Sequence, residues 1–498
     1  MRTILIAGAL AALTACTGQS STNGGAAAAQ PTVDAEALRG AVRDAQPRRF
    51  YEAREWRAAW SAPATAALTR AISGASRHGL DPRIFLAPVD AAEGAVAREA
   101  ALTTAALAYA GALARGRIDP ETIHAPYSVP RPDADVAAGL NRAVDGDVAA
   151  WLEELAPQDA EYRALSNAYV SARRQAAQTP RRAPIPAGRD IRPGGTDPRL
   201  AAIASALAAD GYLQAAQGRS RSALTAAVRR VQEDYGLTAT GVINADTLAA
   251  INDGPYERAR TLAVNLERRR WLAREAPATR IDVNTAAAAL TYWREGAAVD
   301  RRRVVVGDPE HMTPELGSPI YRLVANPTWT VPRSIQNEEI AQEGPGYLAR
   351  NNMEMRDGWI VQRSGPTNSL GLVKFDMQNP HAIYLHDTPA KALFAQDDRH
   401  SSHGCVRVFD ALGFAALIAE HEGVTDAWNR ARATGEETMV TLPDAIPVRL
   451  IYQTAFVDGD RIRYRLDEYG WDDAVARGLG LQPGGSRPPR QRARDRGP

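Results

Sequence analysis

The chain has 498 residues, with 59 basic against 58 acidic side chains, a formal net charge of +1 and a hydrophobic fraction of 45%. That length suggests about three domains, and the charge balance excludes the clustered basic excess of a nucleic-acid binder. Glycine (39) and proline (32) are too few for a collagen-like or wholly disordered chain.

Residues 1–15 open Met1-Arg2-Thr3 and continue as a run of apolar and small residues. This is an export-signal core, too short to span about 30 Å of hydrocarbon. It ends Leu13-Thr14-Ala15-Cys16, which resembles a lipobox. The resemblance implies cleavage before Cys16, acylation of Cys16, and membrane attachment through a lipid anchor there. Residues 16–34, rich in Gly, Ser, Ala and Gln, read as a flexible tether. The expected location is periplasmic, lipid-anchored in the cell envelope. The outer membrane is preferred because Thr17, not aspartate, follows the cysteine.

Residues 35–175 are alanine-rich with helical periodicity, broken at His78-Gly79-Leu80-Asp81-Pro82 and Gly116-Arg117-Ile118-Asp119-Pro120. Gly followed by Pro ends a helix, so an all-helical scaffold domain is expected. Residues 176–197 are dense in Pro and Gly and read as a linker. Residues 198–255 repeat apolar positions at spacings of three and four, with Gln232 through Leu248 between two of the runs. That stretch resembles a three-helix peptidoglycan-binding module, although Thr240-Gly241 and Asn244 replace the more common Asp-Gly and Gly. A ligand-free spacer of the same fold is the alternative. From about 279 the pattern changes to period two with β-branched residues, as in Arg303-Val-Val-Val306 and Ala382-Ile-Tyr-Leu385. Short strands separated by turns predict a mixed or antiparallel sandwich over 256–455. The polar, glycine-rich stretch 335–367 reads as a lid. Residues 456–498 form an extension ending in a disordered tail.

Four of the eight histidines fall between 381 and 403, just before the second cysteine, in Tyr384-Leu385-His386-Asp387-Thr388-Pro389 and Ser402-His403-Gly404-Cys405-Val406-Arg407. Cys16 and Cys405 stand in unrelated contexts and give no disulfide framework. A thiol is mostly protonated at neutral pH, so an imidazole that takes its proton makes it a nucleophile. Gly404 would let the backbone approach a reacting carbonyl, and the amides of Gly404 and Cys405 could meet an oxyanion. A buried structural cysteine and a zinc site are the other readings of these residues. Against zinc, there is no Cys-x-x-Cys or His-x3-His pair.

These motifs, with Asn326-Pro327-Thr328-Trp329 and Asn368-Ser369-Leu370-Gly371-Leu372-Val373-Lys374-Phe375, resemble the L,D-transpeptidase catalytic domain of YkuD type. With the helical region and the small module, the chain resembles the large scaffold-bearing branch of that family. The resemblance implies an α+β multidomain fold with a mainly-β sandwich catalytic domain. It implies Cys405 as acyl-accepting nucleophile, His386 as base, His403 and Ser402 as residues that shape the loop, and Arg407 as a substrate contact. No cofactor and no metal are implied. The implied partners are peptidoglycan stem peptides and glycan, with carbapenems as covalent inhibitors.

The implied reaction is 3→3 cross-linking through a cysteine thioester, with release of D-alanine from tetrapeptide stems. Its rivals keep the nucleophile but change the acceptor, giving a carboxypeptidase, a D-amino-acid exchange enzyme or an envelope-protein anchoring enzyme. A non-catalytic wall-binding lipoprotein is the last alternative. His400 has no assigned part.

Overall fold

A computed structural model describes residues 33–214, 220–482 and 484. The export signal, Cys16 and most of the expected tail lie outside the described residues.

Eight α-helices make up the N-terminal body, from Ala35–Ala41 to Ala160–Gln178. Asp34, Asp135, Asp147 and Asp159 each stand one residue before a helix and accept from a first-turn amide, so N-caps fix where these helices start. The long helix Ala95–Arg115 is central, burying Leu102, Ala105, Ala106, Tyr109 and Leu113. Its small residues let neighbouring helices approach closely.

One helix belongs elsewhere than its sequence position suggests. Pro255–Trp271 falls in the stretch expected to be catalytic, but Leu262, Ala263, Val264, Leu266 and Trp271 join the core of the helical body. At Gly116 (φ +85°), an added Cβ would lie 2.6 Å from Trp271 Cδ1. Any side chain there would push the helix away. Buried polar groups fix the same junction: Arg270 donates to the His78 carbonyl at 2.7 Å and to the Tyr162 hydroxyl at 2.9 Å.

The stretch expected as a linker is not free. The helix Ala160–Gln178 occupies its start, and Ile185 and Ile191 are buried in the core of the small module. Ile191 exchanges both backbone hydrogen bonds with Ile243, at 3.0 and 2.9 Å. Proline density did exclude a continuous element, but two isoleucines still bind the strap to the module. The module has three helices, Leu200–Ala209, Arg221–Asp234 and Ala245–Asn252. Buried Gln232 holds its turn, donating to the Val242 carbonyl at 2.8 Å and accepting from the Gly241 amide at 2.8 Å.

The remaining chain is mainly β. Its strands are β1 (Arg280–Asn284), β2 (Ala289–Arg294), β3 (Ala297–Gly307), β4 (Ile320–Ala325) and β5 (Trp329–Thr330). They continue with β6 (Met353–Arg356), β7 (Trp359–Gln362), β8 (Val373–Met377), β9 (Leu385–His386) and β10 (His400–Ser402). The last are β11 (Val406–Val408), β12 (Thr438–Ile446), β13 (Val448–Ile451), β14 (Ala455–Asp458) and β15 (Arg461–Tyr464). The large mixed sheet runs β12-β4-β8-β9-β11-β3-β2-β1-β13, with β10 on β3. Its two edge strands, β12 and β13, are separated in the chain by Pro447 alone, so the sheet must curl until its edges meet. Phe375, Leu385, Val406 and Val408 point into the enclosed core with Phe414 and Ile418 of the helix Ala411–His421.

The stretch 335–367 differs from the unpatterned loop expected. It contains helical turns at Arg333–Glu338 and Tyr347–Arg350, then a hairpin of β6 and β7 paired with β5. Four-residue strands are too short to show a period.

Residues 455–482 return to the helical body. Helix Trp471–Gly478 lies against Pro255–Trp271, where Asp472 meets Arg268 at 2.5 Å with both side chains buried. Among the described residues no helix is long and apolar enough to cross a membrane.

Candidate active site

Strand register brings the chemistry together. β9 pairs parallel with β11, placing His386 opposite Arg407, and antiparallel with β8, placing Lys374 opposite His386. The amide of Val406 donates to the Tyr384 carbonyl at 3.1 Å, extending the ladder by one residue. Side chains alternate along a strand. Leu385, Val406 and Phe375 therefore face the core, while Lys374, Tyr384, His386, Cys405 and Arg407 share the opposite face. Cys405 and His386 are diagonal neighbours on it.

His386 is fully buried, and its Nδ1 bonds the Asp387 carbonyl. A carbonyl only accepts, so Nδ1 carries the proton and the lone pair resides on Nε2. Asp387 is fixed in turn, accepting from the Leu372 amide at 3.0 Å and from Lys391. Gly371 (φ +61°) makes this approach possible, because a Cβ there would lie 2.3 Å from Asp387 Oδ2. The Asn368–Phe375 motif thus acts on His386 through backbone geometry.

Cys405 is buried, and its Sγ lies 3.7 Å from the Ala382 carbonyl. Burial pushes its thiol up to about 11; the amide and hydroxyl of Tyr384, then the charges of Lys374 and Arg407, act in the opposite sense. The resting sulfur is therefore protonated at neutral pH and needs a base. Burial, and then the facing thiol, hold the Tyr384 hydroxyl well above the usual tyrosine range. That hydroxyl remains a donor.

Ser402 closes the turn, donating to the Cys405 carbonyl at 2.6 Å and accepting from the Gly404 amide at 3.2 Å. Here the sequence expectation needs correction: the Gly404 amide is committed to Ser402 and does not face the site. What Gly404 supplies is its φ of +109°, which L side chains rarely adopt. Thr313 ties the loop down, donating to the Gly404 carbonyl at 2.8 Å.

His403 points away from the thiol, toward the lid. Its Nε2 is 2.5 Å from Glu339 Oε1, and its ring lies 4.6 Å from that of His311. Arg407 is 1% exposed and shares the enclosed face of His386 and Cys405. It acts on the site through its charge. His400, three residues upstream of His403, anchors β10: Nδ1 lies 2.9 Å from Asp398 and Nε2 3.0 Å from the Thr285 carbonyl. Among the described residues no group of three or more His, Cys, Asp or Glu side chains could hold a metal ion.

Sequence reasoning missed Tyr384, Lys374 and Glu339. The first two stand inside quoted motifs, two residues from His386 and at its ladder partner. Glu339 carried no signal.

Three family models match this chain. Residues 278–425 match the L,D-transpeptidase catalytic domain (YkuD), residues 45–168 the scaffold domain, and residues 196–251 the "Putative peptidoglycan binding domain". Residues 278–425 are thus similar to an L,D-transpeptidase catalytic domain. A curated relative from Haemophilus influenzae, named "Putative L,D-transpeptidase", is 30% identical over 219 residues. The match covers 39% of this chain and 45% of the relative, less than half its length. Among solved structures, an L,D-transpeptidase from Stackebrandtia nassauensis aligns at 13% identity and TM-score 0.23, covering 53% of this chain and 94% of that one. A cysteine-to-serine mutant of the Enterococcus faecium L,D-transpeptidase aligns at 10% identity and TM-score 0.20, covering 35% and 50%. Cys405 and His386 both lie in the segment that the catalytic-domain model matches.

Proposed function

We propose that the protein is a peptidoglycan L,D-transpeptidase forming 3→3 cross-links through a thioester on Cys405. The reading rests on one observation: a thiol and an imidazole share one face of adjacent strands, with the imidazole's tautomer set by the Asp387 carbonyl. A lone pair on Nε2 is what a base for the thiol requires.

In the first step Sγ attacks the carbonyl of the third residue of a tetrapeptide stem. His386 takes the thiol proton and passes it to the departing amine, so D-alanine leaves and a thioester remains. In the second step a side-chain amine of another stem attacks the thioester. His386 takes the amine's proton and returns it to sulfur. The acyl bond energy is carried through the thioester, so the chemistry calls for no cofactor. With the Gly404 amide committed to Ser402, the proposed oxyanion donors are the Cys405 amide and the Tyr384 hydroxyl. The lid, held to His403 by Glu339, covers the intermediate against water.

The same reading places the enzyme in the periplasm. A lipid on Cys16 and a wall-binding module would confine it between membrane and glycan, raising the effective substrate concentration. Carbapenems, as acylating agents, are the proposed covalent inhibitors.

Purified enzyme incubated with tetrapeptide fragments and analysed by mass supplies the test. Cross-linked dimers with free D-alanine are expected; tripeptide alone would make water the acceptor. Cys405→Ala should abolish turnover and carbapenem capture together. Turnover that survives this substitution would sink the assignment.

A further inference from the structure

Only two of the 59 basic side chains are lysines, and both border the His386-Asp387 pair. Lys391 binds Asp387, while Lys374 stands opposite His386 in the ladder. The Lys374 ammonium is 2.6 Å from Asp376 Oδ1 and 4.5 Å from the centroid of the Tyr384 ring. Arg322 holds Asp376 from its other side at 2.5 Å. Tyr384 is therefore bracketed: a fixed cation lies on its face, and its amide and hydroxyl meet the sulfur of Cys405.

We propose that Lys374 is a positioning residue of the thiol site, holding positive charge on the face of Tyr384 so that its hydroxyl meets Cys405 as a polarised donor while the sulfur ionises. The inference deepens, and rests on, the reading of Cys405 as nucleophile. A cation over an aromatic face draws density from the ring, and a phenol so drained donates more strongly. The ammonium also acts on the sulfur directly, and its charge opposes the cost of burying a thiolate. The other charged or titratable groups around the sulfur are His386 on β9 and Arg407 on β11. His403, in the loop itself, pairs with Glu339. Asp376 keeps Lys374 in place and limits its field, so the effect is tuning and not a full ion pair with the thiol.

The test reads the thiol itself. Full-length protein carrying Cys16→Ser leaves Cys405 as the sole thiol. Iodoacetamide then alkylates it, with sulfur displacing iodide and the thiol proton lost to base. Rates are measured from about pH 6 to about pH 10, where thiolate formation limits them. Lys374→Met should shift the profile to higher pH and slow neutral-pH alkylation roughly threefold to tenfold, the size of a half-unit to one-unit change in thiol ionisation. Lys374→Arg, which keeps the charge, should fall between parent and Met. Tyr384→Phe should slow alkylation too, and combining it with Lys374→Met should cost less than the two effects summed.

A natively folded Lys374→Met protein that follows the parental profile would overturn the proposal. So would Lys374→Arg as slow as Met, or strict additivity in the double variant. If Lys374→Met does not fold, Lys374→Gln provides the neutral side chain. Failure of the nucleophile reading would appear separately, as cross-linking that persists in Cys405→Ala while the alkylation profiles still respond to Lys374.

Discussion

Cys405, the proposed nucleophile, combines burial with a thiol pushed up to about 11, and this has a consequence for stability. The folded protein keeps the proton across the interval where the unfolded chain, near 9.0, gives it up. The stabilisation is thus complete below pH 9 and is lost as pH rises toward 11. Thermal midpoints of the parent should therefore fall more steeply between those values than those of Cys405→Ala. Parallel curves would mean that the sulfur titrates as it does in an unfolded chain. His386, Cys405 and the tight turn at Gly404 were readable in advance because each lies inside a short contiguous motif. Lys374 and Tyr384 were not, since their contact depends on the relative register of strands 8, 9 and 11, and pairing partners are absent from a linear pattern. The burial of Arg407 was illegible for a related reason: alternation along β11 tells which face it takes, but not how enclosed that face is.

At the scale of elements, the junction between the helical body and helix Pro255–Trp271 is pH-sensitive. His78 accepts from Arg77 at Nε2 and pairs with Tyr162 at Nδ1, each at 3.0 Å. Burial, then the charges of Arg270 and Arg77, hold its imidazole down to about 3 against an ordinary 6.5. The folded state thus binds fewer protons than the unfolded one between these values. Its contribution is complete above pH 6.5 and is withdrawn as pH falls toward 3. By pH 5 the loss should reach about 2 kcal/mol. Urea unfolding at pH 7 and pH 5 should show it in the parent and much less in His78→Gln. Equal losses in both would place the acid sensitivity elsewhere. The helix itself was legible from its periodicity, but its partner was not: an amphipathic face does not say which core receives it. The lid hairpin escaped for the opposite reason, with strands too brief to carry a pattern.

Across the whole molecule, the last described helix is a structural rivet. Asp472 neutralises Arg268 where both are buried, and Thr454 and Asn265 complete the network. Removing one partner of such a pair leaves a buried charge uncompensated, at a cost of about 3–5 kcal/mol. Asp472→Ala should lose that much in denaturant unfolding. A loss below about 1 kcal/mol, the range of exposed ion pairs, would mean the pair is solvated. The closing of the sheet has a further meaning for biogenesis. Both margins of the β layer are supplied by one late stretch of chain bridged at Pro447. During synthesis, the upstream strands must wait, incompletely enclosed, until the chain through Ile451 has emerged. Assembly of the thiol pocket is thereby deferred until the last two strands of this sheet are in place.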